Sequence, residues 1–310
     1  MRKKILIAAD QSLYSRKAME YAAQIAHEIK EVDFSLLHIQ PMISQYLVEE
    51  AEKLPKAKKE LNQMNERNKK ISHQLLEDCK SFLVSSGIDA NCIEIKSRTR
   101  DRSIADDILK TAEDQSYDAI IAGRRGISGL QELFMGSVTR NLLAGSRVIP
   151  VWVVNGPFKS EKLLVAVDGS SQSLRVVDHL AFIFSENRKI HLHFLNVEPL
   201  LSDICEIDTE TLQTAELEAA VLNSNVKCIS DFSAKARGVL KKAGFEDHQI
   251  SFDSLKKQIF TGKAIADTAQ KENFGTVVVG KTGAGKSREL GKVARYVIQK
   301  MSDNAVWVVP

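Results

Sequence analysis

The sequence has no run of about 18 apolar residues, which excludes a membrane-spanning helix of ordinary length. Its basic start, Arg2-Lys3-Lys4, leads into an apolar run that already meets Asp10. That run is too short for a signal-peptide core, and no small-residue cleavage site accompanies it. The chain is therefore expected in the cytoplasm, away from membranes. Cysteine is scarce: Cys79, Cys92, Cys205 and Cys228 are scattered with no C-x-x-C spacing, a pattern of free thiols rather than of disulfides or metal ligands. An excess of one charge is also lacking. With 43 Lys+Arg against 40 Asp+Glu, the net charge of +3 does not suit a dedicated nucleic-acid binder. His191 and His193 alternate along an expected strand without Cys or carboxylate at ligand spacing, so no metal ligand is nominated. No Ser/His/Asp or Cys/His arrangement is recognisable, and no catalytic residue is nominated.

What is present is length and a repeat. At 310 residues the chain exceeds one ordinary domain, and its 44% apolar and 27% charged content is that of a globular protein. Lys4-Ile-Leu-Ile-Ala-Ala-Asp10 returns as Lys162-Leu-Leu-Val-Ala-Val-Asp168. Leu36-Leu-His-Ile-Gln-Pro41 returns as Phe194-Leu-Asn-Val-Glu-Pro199, and Ala119-Ile-Ile-Ala-Gly123 as Thr276-Val-Val-Val-Gly280. Gly87-Ile88 matches Gly244-Phe245, and Val148–Val154 is echoed by Asn304–Val309. Landmarks in the same order at a nearly constant offset are a duplication. Asn155-Gly156-Pro157 punctuates the join, which sets domains at 1–155 and 160–310.

Each copy alternates strand and helix patterns. In the first, strands are expected at 4–9, 34–39, 92–96, 118–123 and 148–154. Helices are expected after Ser12, over the charged segment 46–85, near 102–114 and over 137–144. Strands separated by helices imply βαβ crossovers and a parallel sheet covered on both faces, hence a doubly wound α/β fold. In such sheets ligands sit beyond the carboxyl ends of the strands, where Asp10, His38, Ile39 and Gly123 fall.

The loop after the fourth strand, Gly123-Arg-Arg-Gly126 through Met135-Gly136-Ser137, carries the most information. Glycines there let backbone approach a ligand closely, and Gly136-Ser137 opens a helix whose free amides favour an anion. On spacing alone the loop reads equally as a phosphate cradle or as a glycine turn.

The pattern G-x2-G-x9-G-S, with Lys4–Asp10 and the strand end Leu37-His38-Ile39, resembles the universal stress protein family, once per half. The resemblance implies two five-stranded, adenine nucleotide alpha hydrolase-like domains of strand order 3-2-1-4-5. It implies ATP or a related adenine nucleotide as ligand, with Mg²⁺ shared among phosphate oxygens. Carried over, the contacts are Asp10 and Ile39 for adenine, and Gly123, Gly126, Gly136 and Ser137 for ribose and phosphates; Arg124, which could screen phosphate charge, and Val138 are nominated beside them. Arg125, Ser128 and Thr139 are secondary candidates. Gln11 departs from the family's usual glycine.

In the second half, Asp168-Gly169-Ser170 fits the family's first turn better, but Gly280-Lys-Thr-Gly283 is followed by only seven residues before Gly291-Lys292. A second site would use Asp168, Val197, Gly280, Gly283, Gly291 and Lys292, with lysine in place of the hydroxyl. Gly280 to Ser287 also satisfies the P-loop pattern. The tail Ala305–Pro310 offers no acidic strand end to support Mg²⁺ in that chemistry. The basic run from Lys53 to Lys70 reads as a solvated helix face.

Three functional readings follow: a nucleotide-binding stress or regulatory protein, a tandem scaffold that holds no nucleotide, or a weak ATPase. The resemblance also implies pairing through the last strands. That gives an internal pseudo-dimer through Val148–Val154 and Val306–Val309, and leaves room for a homodimer.

Overall fold

The computed structural model describes residues 1–126, 135–198, 215–256, 258, 260–283 and 289–310. The first half runs β1 (Lys3–Ala8), α1 (Leu13–Ala26), β2 (Val32–Gln40), α2 (Gln45–Glu52), α3 (Pro55–Ser85) and β3 (Ile93–Thr99). It continues with α4 (Ile104–Asp114), β4 (Ala119–Gly123), α5 (Ser137–Gly145) and β5 (Val151–Val154). The second half repeats this as β6 (Lys162–Val167), α6 (Ser171–Ile183), β7 (His191–Val197), α7 (Ala215–Lys242), β8 (Ile250–Leu255), α8 (Thr261–Lys271), β9 (Thr276–Gly280), α9 (Lys292–Lys300) and β10 (Ala305–Val309).

The sheet order is β3-β2-β1-β4-β5-β10-β9-β6-β7-β8. Each half therefore has the order 3-2-1-4-5, with parallel neighbours throughout. The halves meet where β5 and β10 pair antiparallel, with Trp152 opposite Trp307. Both strands are wholly apolar and buried. Left open, either would be a sticky edge; paired with each other, they make one continuous sheet. Of the two outer strands, β3 and β8, β3 alternates Glu94, Lys96 and Arg98, charges that discourage further pairing.

The core lies in two layers, one on each sheet face, and each layer runs unbroken across the join. One contains α1, α3, α6 and α7; the other contains α4, α5, α8 and α9. In each half the first two crossovers lie on one face and the last two on the other, as a doubly wound sheet requires. The duplication even preserves left-handed turn residues that are not glycine: Glu31 and Glu186 (φ 56° and 62°), and Ser116 and Asn273 (φ 53° and 55°).

Local differences from the sequence pattern have simple causes. The segment 46–85 is two helices, because Pro55 cannot continue α2 and instead occupies the first turn of α3. The last strand of the first half starts at Val151 rather than 148, since Pro150 has no N–H to offer. Within the Lys53–Lys70 run, Lys53 pairs with Glu50 and Lys69 with Glu66 on exposed surface. No described helix is long and apolar enough to cross a membrane.

Candidate functional site

Ser12 caps α1 through the Ser15 N–H, and this turn fixes Asp10 at the end of β1. The Asp10 carboxylate accepts the Ser12 N–H at 2.9 Å, while the Asp10 N–H donates to Ser15 Oγ at 3.0 Å. On the other side of β1, the loop after β4 is closed by the Gly136 N–H donating to the Arg124 carbonyl at 3.0 Å. Gly136 is thus the N-cap of α5, and the next amides of the helix have no helical carbonyl to bond. Thr139 Oγ1 donates to the Gly123 carbonyl at 2.7 Å and ties the first turn of α5 to the end of β4.

Close approach requires glycine at three positions in this frame. A Cβ on Gly123 would lie 2.6 Å from the Tyr14 carbonyl oxygen, and one on Gly126 would lie 3.0 Å from Asp10 Oδ2. One on Gly136 would press on the backbone of Arg124 and Arg125. The loop and the carboxylate are therefore drawn against each other across the end of β1.

Between them opens a cavity of about 450 Å³, within the usual size range of small-ligand sites. Asp10, Ile39, Gly123, Gly126, Gly136, Ser137 and Val138 all line it. Its apolar side is built from Leu37, Ile39, Ile104, Ile108 and Ala122; its polar groups include His38, Arg100 and Arg125. Burial lowers the pKa of His38, opposed by the nearby Asp10 charge. His38 Nδ1 shares a hydrogen bond with Ser72 Oγ at 2.7 Å, which holds the ring toward α3. The cavity thus has an apolar shelf beside one carboxylate and a helix N-terminus at the opposite side.

Arg124, expected at the phosphates, is directed elsewhere. Its side chain is 3% exposed and Nη2 donates to the Gln299 carbonyl of α9 at 2.9 Å, across the domain join. Arg125 faces the cavity instead, held by its Nη1 donating to Tyr14 Oη at 2.5 Å, with its guanidinium over the Tyr14 ring. Adjacent residues of an extended segment point in opposite directions, so only one of the two arginines reaches the cavity. Arg100 escaped the sequence reading altogether. It follows β3, far along the chain from the glycine motif, and belongs to no repeating pattern. Ser128 lies outside the described residues.

The second half repeats the frame. Asp168 accepts the Ser170 N–H at 3.0 Å, and a Cβ on Gly283 would lie 3.1 Å from Asp168 Oδ2. The Gly291 N–H donates to the Lys281 carbonyl at 2.8 Å, so the shorter loop closes with the same backbone bond. Lys292 is the first residue of α9, in the place of Ser137, and Val197 ends β7 as Ile39 lies near the end of β2. Gly280 packs against Gln172, where Gly123 packs against Tyr14. Lys286 and Ser287, the end of the P-loop pattern, lie outside the described residues. The first turn differs by one backbone angle. Gly169 is left-handed (φ 76°), whereas Gln11 is not, and both turns still make the same carboxylate hydrogen bond.

Comparison with known proteins agrees with this duplication. The model of the universal stress protein family matches residues 1–155 and again 159–310. Universal stress protein YxiE of Bacillus subtilis (strain 168) is 28% identical over 141 residues, 45% of this chain and 90% of that protein. A universal stress protein from Archaeoglobus fulgidus DSM 4304 superposes with a TM-score of 0.60 at 20% identity, covering 99% of this chain and 97% of the other. A functionally unknown protein from Pseudomonas aeruginosa PAO1 does so with a TM-score of 0.57 at 16% identity, over 99% and 92%. The solved structures share the whole double-domain fold. With a family match in each half, the chain belongs to the universal stress protein family as a tandem member.

Proposed function

We propose that the first domain binds ATP or a related adenine nucleotide, and that the protein acts in a stress response through that binding. One observation carries the reading: seven of the eight residues nominated for nucleotide line a single cavity, although the chain brings them from β1, β2, β4 and α5. The apolar shelf at Leu37, Ile39 and Ile108 suits a flat purine, and Asp10 suits its hydrogen-bond donors. The glycines and the N-terminus of α5 suit phosphate oxygens. Arg125 adds positive charge on that side. Mg²⁺ would ride on the phosphates, because Asp10 is the one carboxylate among the described cavity residues. The second domain offers the same backbone frame with Lys292 in place of serine, so nucleotide is held mainly in the first.

Titration calorimetry of nucleotide-stripped protein with Mg-ATP tests this. One site per chain, abolished by Asp10→Ala, is the expected result. Two sites would mean that the second domain binds as well. No heat, together with no thermal shift at high nucleotide, would leave a tandem scaffold. At a free ligand concentration 100-fold above Kd, the shift should correspond to about 2.7 kcal/mol.

A further inference from the structure

The residue after the strand-end glycine is a cation in both halves, and each cation reaches into the other half. Arg124 Nη2 reaches the Gln299 carbonyl in the last turn of α9. Reciprocally, Lys281 Nζ donates to the carbonyls of Ala144 at 2.8 Å and Ser146 at 2.7 Å, at the end of α5. Lys281 is 6% exposed, and burial lowers its pKa, with Arg147 acting in the same direction. Helix ends leave carbonyls unpaired and carry partial negative charge, which is where a buried cation is best placed.

The two helices capped in this way are the ones that open at the two glycine loops. α5 begins at Gly136-Ser137, on the wall of the first cavity, and ends on Lys281 from the second domain. α9 begins at Gly291-Lys292 and ends on Arg124 from the first. Both cations also lie inside the glycine loops: the Arg124 carbonyl accepts the Gly136 N–H, and the Lys281 carbonyl accepts the Gly291 N–H. A closed circuit results, from loop to partner helix to partner loop and back. At nine residues, α5 is a rod of only about 13 Å. A displacement of its capped end is therefore carried to the amides at its other end.

We propose that Lys281 of the second domain is a positioning residue for the nucleotide cleft of the first, holding α5 so that its N-terminal amides face the phosphates. This rests on the first domain binding nucleotide. Loss of the ammonium would leave the buried Ser146 carbonyl, and the part-buried carbonyl of Ala144, without their donor, and α5 would re-seat to reach water.

The experiment compares Mg-ATP affinity in wild type, Lys281→Met, Lys281→Arg and Tyr21→Phe. Tyr21→Phe removes two hydrogen bonds at the same domain join, with Trp307 and Thr276, without touching α5. Lys281→Met should weaken binding about fivefold or more, the lower end of ordinary coupling between sites. Lys281→Arg should restore most of it, and Tyr21→Phe should bind as wild type does. Amide exchange, followed without ligand, should be faster over α5 in Lys281→Met and unchanged over α4. Wild-type affinity in Lys281→Met overturns the proposal, as does an equal loss in Tyr21→Phe, which would indicate general loosening. If wild type itself binds no Mg-ATP, the nucleotide reading fails first. Faster exchange over α5 would then still establish the cross-domain hold, and unchanged exchange would remove it too.

Discussion

Trp152 and Trp307 lie face to face across the domain join, with ring centroids 3.6 Å apart and planes 2° from parallel. They are the chain's two tryptophans, both fully buried, and they sit opposite each other in the β5–β10 register. Each indole N–H is claimed by the helix of one half. Trp307 Nε1 donates to Tyr21 Oη at 2.9 Å, and Trp152 Nε1 donates to His179 Nε2 at 3.2 Å. Tyr21 and His179 occupy matching places on α1 and α6, so a single duplicated scheme has diverged to two different acceptors.

Truncating this stack should be costly. Trp307→Ala removes a fully buried indole from the centre of the join and is expected to destabilise by about 3–5 kcal/mol. Because both tryptophans sit at the join, their fluorescence reports on it directly, while far-UV circular dichroism reports on all helices. In wild type the two urea transitions should coincide. In Trp307→Ala the midpoint should fall, and the remaining tryptophan should emit at longer wavelength before the helices are lost. An unchanged midpoint would show that the stack contributes little to holding the halves together.

His179 gives the join a pH dependence. Burial lowers its pKa to about 3, whereas an unfolded histidine titrates near 6.5. Accepting from Trp152 Nε1 places the histidine's own proton on Nδ1, so the native ring is neutral. Between those two values the unfolded chain binds a proton that the native chain refuses. The contribution is fully present above pH 6.5 and is lost as pH falls below it, at no more than about 1.4 kcal/mol per pH unit. His179→Gln keeps an acceptor for Trp152 and removes the titration. Urea midpoints measured from pH 7 to pH 4.5 should fall more steeply in wild type than in this variant; parallel curves would mean the ring is protonated in the native state.

Much of this architecture is legible in the residues. The repeat of Lys4–Asp10 as Lys162–Asp168, and of Ala119–Gly123 as Thr276–Gly280, gives the duplication and a parallel sheet in each half, because buried parallel strands leave unbroken apolar runs; the strand order follows from the family resemblance alone. The wholly apolar Val151–Val154 and Ala305–Val309 also point to the join, since neither tolerates exposure. What could not be read was direction. Arg124 and Arg125 are identical in type, and which one turns toward the cleft depends on the other domain supplying the Gln299 carbonyl. Arg100 could not be found for a similar reason: it lines the cavity from the turn after β3, where its Nε donates to the Arg102 carbonyl, a relation with no local signal. The helix break at Pro55 was readable in principle, but the surrounding charge pattern is helical on both sides and masks it.

The first turns of the two halves should answer differently to substitution. Gly169 is left-handed, and a Cβ there would lie 2.6 Å from Cys228 Sγ on α7. Gly169→Ala should therefore destabilise by about 1–3 kcal/mol, combining backbone strain with overlap. Adding Cys228→Ala should recover the steric part and leave about 1 kcal/mol of backbone cost. If the double variant is no more stable than the single, the strain lies wholly in the backbone angle.

Gly123 and Gly126 separate what holds the fold from what shapes the cleft. A Cβ on Gly123 meets the Tyr14 carbonyl at 2.6 Å, and this is backbone of α1 that cannot yield without shifting the helix. Gly123→Ala should lower stability by about 1–3 kcal/mol even without nucleotide. Among the described residues a Cβ on Gly126 meets Asp10 Oδ2 alone, at 3.0 Å, and a side chain can turn away. Gly126→Ala should therefore melt close to wild type, yet bind Mg-ATP several-fold more weakly, because the displaced carboxylate is the one proposed to meet the base. Thermal midpoints without ligand and calorimetric Kd values decide the matter. A Gly126→Ala protein that binds as tightly as wild type would remove Asp10 from the nucleotide contacts, while a low midpoint in that variant would place Gly126 with Gly123 as part of the frame.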